Sequence, residues 1–325
     1  MSVRVGGHRY SDPDVLSLVH SGSEPLDPRI EIIRRARELN ERLRQFEAIE
    51  NPRMRLEILA SFAGITVTPM VQSPAASQNR AALLFQNSSG QRHAYYDPSQ
   101  SEGRANFSIA HEIVHSFFPN SVSGARFRSI HTDNSKEATE LERLCDLGAS
   151  ELLMPHEEFI AELGSEFGLH VVPKLAERFG SSYEATVFRL ASTHSRLAVA
   201  GRLVYRYRKN EERRLQPTTQ FRLFDGGQRR ADVPSPKYRR QSLHSSDSCE
   251  PAHLIRWNKS FDLNSCVYTA KDSDQVVRGK ESLPNLSDDI GWIECVRAPY
   301  QGSLLDDCYP DILFLWWASE SKSRL

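Results

Sequence analysis

The chain has 325 residues, enough for two or three domains, and 39% of them are apolar, enough for packed cores. Its formal net charge of −1 indicates neither a nucleic acid nor a membrane as the partner of the whole molecule. No stretch has the roughly 20 apolar residues of a membrane helix, and the N-terminus lacks a secretion-signal pattern. Five cysteines without a Cys-x-x-Cys pair favour free thiols in a reducing compartment. These features predict a cytoplasmic protein.

The first third of the chain predicts helices followed by a small sheet. Residues 1–26, rich in Ser, Gly, Pro and Asp, predict a flexible arm. A helix is predicted over 28–46 from apolar residues at helical spacing, namely Ile30, Ile33, Ala36, Leu39 and Leu43. Three elements follow: a helix at about 52–62, a strand at 65–70, and a hairpin whose strands 81–85 and 92–96 flank Asn-Ser-Ser-Gly.

The next predicted helix, FSIAHEIVHSFF over 107–118, carries a His-Glu-x-x-His pattern. His111 and His115 are one turn apart on one face, so both imidazoles can bind one zinc ion at about 2.0–2.1 Å. Glu112 can then act as general base for a zinc-activated water that attacks a peptide carbonyl. Ser108 is the predicted N-cap. The alternative is a core helix with two hydrogen-bonded histidines.

A catalytic zinc site needs a third protein ligand, and the helix predicted from about 136 to 153 offers one. Glu142 lies on a stripe of Ala and Cys, where an ionised carboxylate is costly unless it is paired or binds a metal. Asp146, four residues later, can hold the second N–H of a ligand histidine. Glu137 and Glu140 fall off the stripe and are predicted to be solvated. The alternative for Glu142 is an ion pair with an arginine, Arg104 or Arg143.

Two stretches, RANFSIAHEIVHSFF and LERLCDLGASELLMP, resemble the ImmA/IrrE family of bacterial metallopeptidases over about residues 30–160. The Glu-x-x-x-Asp pair is also similar to the gluzincin pattern. Four residues replace the family's Ala, Asn, Phe and Ala, namely Cys145, Asp146, Gly148 and Ser150. The resemblance implies a zincin-like domain with ligands His111, His115 and Glu142 and the base Glu112. It also implies a regulatory protein substrate, commonly a helix-turn-helix repressor whose cleavage switches on stress, mobile-element or phage genes.

Substrate-binding residues are not identified by these motifs. The strand at 92–96 either pairs with an extended substrate by strand addition or is interior to the sheet, and both alternatives stay open. Three residues are candidates for stabilising the oxyanion, namely Tyr95, Tyr96 and His131. The metal is predicted to be Zn²⁺, although Mn²⁺ or Fe²⁺ also suits two histidines and a carboxylate.

The rest of the chain predicts a helical pair and a β-containing domain. The two helices around Gly180 have helix-turn-helix spacing, but the second offers only Arg189 to phosphate, which favours a packing module over a DNA reader. Residues 201–240 contain twelve Lys or Arg against four Asp or Glu, with aromatic residues between them. This segment binds single-stranded nucleic acid, or it is a solvated strand face followed by a basic linker, or it docks within the molecule against the acidic residues 241–325.

The predicted architecture is α+β in four parts: a flexible arm (1–26), a zinc metallopeptidase domain (27–165), a helix-turn-helix-like module (166–200) and a β-containing regulatory domain (201–325), GAF-like by analogy with the family's radiation-response branch. The predicted function is a site-specific zinc endopeptidase gated by its C-terminal domain. Two alternatives remain: a DNA- or protein-binding regulator with a structural or lapsed metal site, and a toxin-like partner of an antitoxin.

Overall fold

The computed structural model describes residues 2–20, 25–46, 49–70, 80–118, 127–129, 136–208, 210–212, 235–246, 254–285, 289–299 and 309–319. The chain divides into two compact units, one of residues 1–165 and 173–185 and the other of residues 166–172 and 186–325. The segment 166–200, predicted as a helical module, therefore contributes residues to both units. The mixture of helices and sheets confirms the α+β class. Across the residues so described, no helix is both long and apolar enough to cross a lipid bilayer.

The N-terminal residues form defined elements rather than the predicted flexible arm. Strands β1 (Val3–Val5) and β2 (His8–Tyr10) pair as a hairpin and precede helix α1 (Pro13–Val19). The Asp12 side chain accepts hydrogen bonds from the first turn of α1, and Pro13 stands at its first position. The buried side chains of this helix have helical spacing, namely Val15, Leu18 and Val19. The sequence therefore contains a helix start signal and an apolar helix face, which a prediction from amino-acid composition alone does not detect.

Two further helices of the N-terminal half start in the same way, with a capping side chain followed by proline. Helix α2 (Pro28–Leu43) is capped by Asp27, and helix α3 (Pro52–Phe62) by Asn51. The buried apolar residues of α2 are Ile32, Ala36, Leu39 and Leu43, whereas Ile30, predicted on that face, is 67% exposed. The predicted face is therefore confirmed at Ala36, Leu39 and Leu43 and wrong at Ile30, because Ile32 is the residue that continues the spacing of four and three into the first turn.

Glu31, in the first turn of α2, accepts hydrogen bonds from Arg34 and Arg35. The hydrogen bonds from Arg34 and the hydrogen bond from Arg35 lower the pKa of Glu31 to about 2, although burial of the carboxyl acts to raise it. A depressed carboxyl pKa stabilises the fold above the unfolded value of about 4.5, and this contribution is lost as the pH falls towards 2. We expect Glu31→Gln to lower the free energy of unfolding by about 1–3 kcal/mol at pH 7 and by less at pH 3.

Urea denaturation of wild type and variant at both pH values measures this difference. Glu38→Gln is the matched control, because the Glu38 side chain is 59% exposed in its ion pair with Arg34 and is expected to contribute under about 1 kcal/mol. A difference for Glu31→Gln that stays constant from pH 7 to pH 3 would contradict the assignment of the depressed pKa.

The sheet of the first unit has the order β3-β5-β4-β6, made of β3 (Ile65–Pro69), β4 (Arg80–Gln86), β5 (Arg92–Tyr96) and β6 (Phe127–Ser129). The predicted hairpin is confirmed, since β4 and β5 pair antiparallel. On its other side β5 pairs parallel with β3. Both edges of β5 are therefore occupied within the chain. The hypothesis that this strand receives an extended substrate is wrong, because β3 and β6 are the outer strands.

Helices α4 (Glu102–His115) and α5 (Lys136–Leu153) pack together beside this sheet, and α6 (His156–Leu163) follows Pro155. Helix α4 begins after Ser101, so Ser108 is a buried residue inside the helix and not its N-cap. Gly148 permits the close packing of α5. A Cβ atom on it would lie 2.7 Å from a methyl group of Ile32 and 2.8 Å from both methyl groups of Val114.

Glu140, predicted to be solvated, is a half-buried anchor for the N-terminal segment. Its carboxylate accepts hydrogen bonds from the backbone and hydroxyl of Ser11 and from the backbone of Asp12. The two groups are about 130 positions apart in the chain, so the helical pattern around Glu140 contained no sign of this contact. The carboxylate joins the start of α1 to α5.

The predicted helical pair is confirmed as α7 (Val172–Phe179) and α8 (Tyr183–Thr193), after a short 3₁₀ turn at Leu169–Val171. Gly180, at φ +57°, makes the turn between them, and its carbonyl accepts a hydrogen bond from the Asn106 side chain on α4. Arg189 is only 7% exposed. The one strong base that α8 offers to phosphate is thus buried, which favours the packing module over a DNA reader.

The second unit contains an antiparallel sheet of order β8-β7-β11-β10-β9, beside which a short helix lies. Its elements are β7 (Ala198–Arg206), β8 (Lys237–Ser245), α9 (Cys266–Ala270), β9 (Val277–Ser282), β10 (Ile290–Arg297) and β11 (Ile312–Ala318). The apolar run that starts at Ile312 forms β11, and Trp316 and Phe314 on it are fully buried in the core. The predicted β-containing domain therefore has a sheet with an aromatic core, and its GAF-like character stays a prediction.

Several basic residues of the segment 201–240 are used inside this unit. Arg239 is 2% exposed and donates to two backbone carbonyls, and Arg240 lies 4.3 Å above the Trp257 ring. Arg202 lies 3.6 Å from the Asp311 carboxylate. These three guanidinium groups support the intramolecular alternative. Residues 213–234, which carry much of the positive charge, lie outside the described residues.

Candidate metal centre

The metal centre predicted from the sequence lies between α4 and α5. His111 and His115, one turn apart on α4, are 0% and 5% exposed, and their Nε2 atoms are 3.1 Å apart. Apolar residues on both sides of the histidines bury this stretch of the helix, since Ala110, Ile113 and Val114 are all fully buried. The two imidazoles therefore face one point in the interior of the first unit.

Glu142 on α5 reaches the same point. Its Oε2 lies 3.1 Å from His111 Nε2, and its Oε1 lies 3.5 Å from His115 Nε2. The alternative ion pair with Arg104 or Arg143 is not found among the described residues, where Glu142 contacts the histidines instead. Glu142 lies 27 positions after His115, a separation that allows α5 to pack against α4, as the spacing predicted.

The separations of these three groups fit a bound divalent cation. Two ligand atoms held tetrahedrally at about 2.0–2.1 Å from zinc lie roughly 3.4 Å apart. The three measured separations run from 3.1 to 3.5 Å. Two imidazoles and one carboxylate are also the donor set of many catalytic zinc sites. His111, His115 and Glu142 could thus hold a cation without a large rearrangement.

Asp146 lies behind His111, on the side opposite Glu142. Its Oδ1 is 2.9 Å from His111 Nδ1, so it can accept a proton from Nδ1 in the neutral tautomer that presents the Nε2 lone pair to a cation. A carboxylate in this position fixes the orientation of a ligand histidine and raises its basicity. The sequence predicted Asp146 as an outer partner of a ligand histidine without specifying which one, and the structure places it beside His111.

Cys145 was not predicted as part of the site. Its buried Sγ lies 3.5 Å from His115 Nδ1. Donor atoms of His111, His115 and Cys145 all lie within 4.8 Å of one another, so a two-histidine, one-thiolate set is a second way to hold a metal. The signal available in the sequence was its position three residues after Glu142, which puts both side chains on one face of α5.

The carboxylates of the site reach solvent while the imidazoles do not. The side chains of Glu142 and Asp146 are 39% and 48% exposed, against 0% for His111. Partial burial acts to raise the pKa of Glu142, but the hydrogen bond from His111 and the charges of His111 and His115 outweigh it, so the pKa lies below its usual value. Glu142 is therefore ionised at neutral pH, which is the form that binds a cation.

Glu112, the predicted base, is 1% exposed and follows His111 in the buried part of α4. Of the candidates for the oxyanion, Tyr95 and Tyr96 are half-buried on β5, and the Arg53 guanidinium lies 4.5 Å above the Tyr96 ring. His131 lies outside the described residues. Among the described residues, no hydrogen bond joins Tyr95 or Tyr96 to the candidate metal centre, so their oxyanion role stays a prediction.

Comparisons with known proteins agree with this arrangement. A family model described as the IrrE N-terminal-like domain of peptidase M78 matches residues 69–191. A solved structure of a Mycobacterium tuberculosis transcriptional regulator is similar, with a TM-score of 0.51, 12% identity, and coverage of 94% of this chain and 80% of that chain. At this identity the likeness concerns the fold alone. A comparison with functionally curated proteins gave no significant match.

The matched residues run from the end of β3 to near the end of α8 and include both helices of the metal centre. The resemblance drawn from the two motifs, which covered about residues 30–160, overlaps most of this span. Residues 69–191 of the chain are therefore similar to the IrrE N-terminal-like domain of peptidase M78.

Proposed function

We propose that the first unit is a zinc-dependent, site-specific endopeptidase. The observation that carries this proposal is the convergence of His111 Nε2, His115 Nε2 and the Glu142 carboxylate within 3.1–3.5 Å of one another. The match of residues 69–191 to the peptidase M78 family model supports a peptidase, and the donor set supports Zn²⁺, with Mn²⁺ or Fe²⁺ also compatible.

In this proposal His111, His115 and Glu142 hold the cation. When bound, the cation supplies Lewis acidity towards a water molecule and a peptide carbonyl. Glu112 takes the proton from the attacking water and later delivers it to the leaving amine. Asp146 keeps the His111 ring in the tautomer that leaves Nε2 free. The half-exposed carboxylates leave one side of the site open to a polypeptide.

The proposed substrate is a regulatory protein, a helix-turn-helix repressor whose cleavage switches on stress or mobile-element genes in the cytoplasm. The similar structure from M. tuberculosis is a transcriptional regulator, which supports a role in the control of transcription. Because β5 is interior, a substrate segment that adds to the sheet would do so at β3 or β6. A regulatory, GAF-like role for the second unit and binding of single-stranded nucleic acid at 201–240 remain part of the proposal.

Elemental analysis of the purified chain tests the metal on which this function depends. We expect about one equivalent of Zn²⁺ in the wild type and on the order of a tenth or less in His115→Ala, because two remaining ligands bind zinc weakly. His156→Ala is the matched control, since His156 begins α6 away from the metal centre and should keep full occupancy. A wild-type chain that takes up no divalent cation after reconstitution would exclude the peptidase.

A second candidate function is a transcriptional regulator in which the metal centre is structural. The fold of the M. tuberculosis regulator and the thiol of Cys145 beside His115 favour this candidate. The two candidates differ at Glu112, because a structural site needs no base next to its ligand. A toxin-like role gains no support from the described residues.

A further inference from the structure

We infer that Cys145 is a positioning residue of the metal centre, which accepts the Nδ1–H of His115 and so turns His115 Nε2 towards the cation. The inference rests on the proposed function, because it assumes that His115 is a ligand.

The geometry gives each histidine one outer partner from α5. His111 Nδ1 lies 2.9 Å from Asp146 Oδ1, and His115 Nδ1 lies 3.5 Å from Cys145 Sγ. A sulfur atom is larger than oxygen, so 3.5 Å is a hydrogen-bonding distance for N–H···S, although sulfur is a weak acceptor. Cys145 is 0% exposed, so water does not compete for the Nδ1 proton from its side.

The same geometry argues against Cys145 as the third ligand. The two nitrogens of an imidazole ring point in widely different directions, and His115 Nε2 is the one that faces His111 Nε2 and Glu142. The Sγ atom approaches the other nitrogen, whereas a thiolate ligand would have to lie about 2.3 Å from the cation among the Nε2 atoms. Glu142 already occupies that position.

One turn of α5 therefore supplies the ligand and both outer partners, at positions 142, 145 and 146. The two histidines are held unequally. A carboxylate holds His111 strongly, and a thiol holds His115 weakly. The loss of the thiol removes this acceptor from the His115 Nδ1–H and weakens the constraint that keeps the His115 ring turned towards the site.

Two measurements on the full chain test this inference. The first is the Zn²⁺ dissociation constant, from competition with a chromophoric chelator, for wild type, Cys145→Ala and Cys145→Ser. We expect Cys145→Ala to weaken binding by roughly 10–100-fold, as for other outer partners of ligand histidines, and Cys145→Ser to recover part of the loss because a hydroxyl also accepts the Nδ1 proton. Cys266→Ser, a half-buried thiol of the second unit, is the matched control and should bind like wild type.

The second measurement is the absorption spectrum of the Co²⁺-loaded chain. An outer thiol gives no sulfur-to-cobalt charge-transfer band in the near ultraviolet, whereas a thiolate ligand gives a strong one. We expect wild type and Cys145→Ser to have the same near-ultraviolet absorption. A band in the wild type that disappears in Cys145→Ser would make Cys145 a ligand and overturn the inference.

Unchanged Zn²⁺ affinity in Cys145→Ala would overturn it as well, while leaving the peptidase proposal intact. Failure of the wild type to bind either metal would instead refute the proposed function itself. Circular dichroism and thermal unfolding of the metal-free variants show whether an affinity change comes from the fold. A loss of affinity in Cys145→Ala with unchanged unfolding of the metal-free chain supports the positioning role.

Discussion

Glu112→Gln is expected to abolish peptide cleavage while leaving the metal in place. The substitution keeps the size of a side chain that is 1% exposed, but an amide cannot take a proton from the attacking water. Loss of a general base typically costs on the order of 10²–10⁴-fold in rate. The measurement is the appearance of new protein N-termini, by mass spectrometry, when the purified chain is incubated with soluble proteins of its host cell.

Zinc stoichiometry of the same preparation is the internal control, because His111, His115 and Glu142 are untouched. A further control is Glu102→Gln, at the exposed start of the same helix, which should cleave like wild type. Cleavage by Glu112→Gln at the wild-type rate, with zinc bound, would show that Glu112 is no base. If neither the wild type nor Glu112→Gln cleaves any protein, the result favours the transcriptional regulator with a structural metal centre.

Gly148→Val is expected to destabilise the first unit and to weaken metal binding. The first added carbon would already lie 2.7 Å from Ile32 and 2.8 Å from Val114, both fully buried, so α5 must move away from α2 and α4. Forcing methyl groups into a packed core typically costs about 1–3 kcal/mol. Valine regains only a few tenths of a kcal/mol of helix propensity over glycine. Because Glu142 lies less than two turns away, the displacement also separates it from the histidines.

Thermal and urea unfolding with and without Zn²⁺ measure both effects. Arg143→Val is the matched control, since it introduces the same side chain at an exposed position of the same helix. We expect that control to change the free energy of unfolding by about 0.5 kcal/mol or less. If Gly148→Val unfolds like the control and binds zinc like wild type, close packing at Gly148 is not what aligns the two helices.

The metal centre was predictable because its chemistry is local to two helices. The spacing of four in His111 and His115, and the cost of burying Glu142 among small residues, depend only on helical periodicity and desolvation. The structure brings those three side chains within hydrogen-bonding distance. The position of Asp146 near Glu142 was predicted from the same helical periodicity. The spacing in the sequence thus specified which side chains share a helix face. The two faces could then meet because the connection between α4 and α5 is long enough to bring α5 back beside α4.

Features that depend on distant pairing could not be predicted in the same way. The position of β5 inside the sheet is set by β3, which pairs with it parallel through a connection that no local pattern describes. Glu140 receives its hydrogen bonds from Ser11, far away in the chain. The prediction of a flexible N-terminal arm was wrong for a different reason. The helix start at Asp12-Pro13 and the apolar spacing of α1 are visible in the sequence, but the prediction relied on the Ser, Gly, Pro and Asp content of the segment instead.

The clustering of Glu142, Cys145 and Asp146 in a single turn of α5 has a consequence for how this chain can evolve. Inserting or deleting one residue just before position 142 rotates all three side chains by about 100° relative to the rest of the helix. Such a change would remove the anionic ligand and both outer partners in one genetic event. Descendants of this protein should therefore tolerate length variation before α5 begins far more readily than within the helix upstream of Glu142, and comparison of their gene sequences would reveal it.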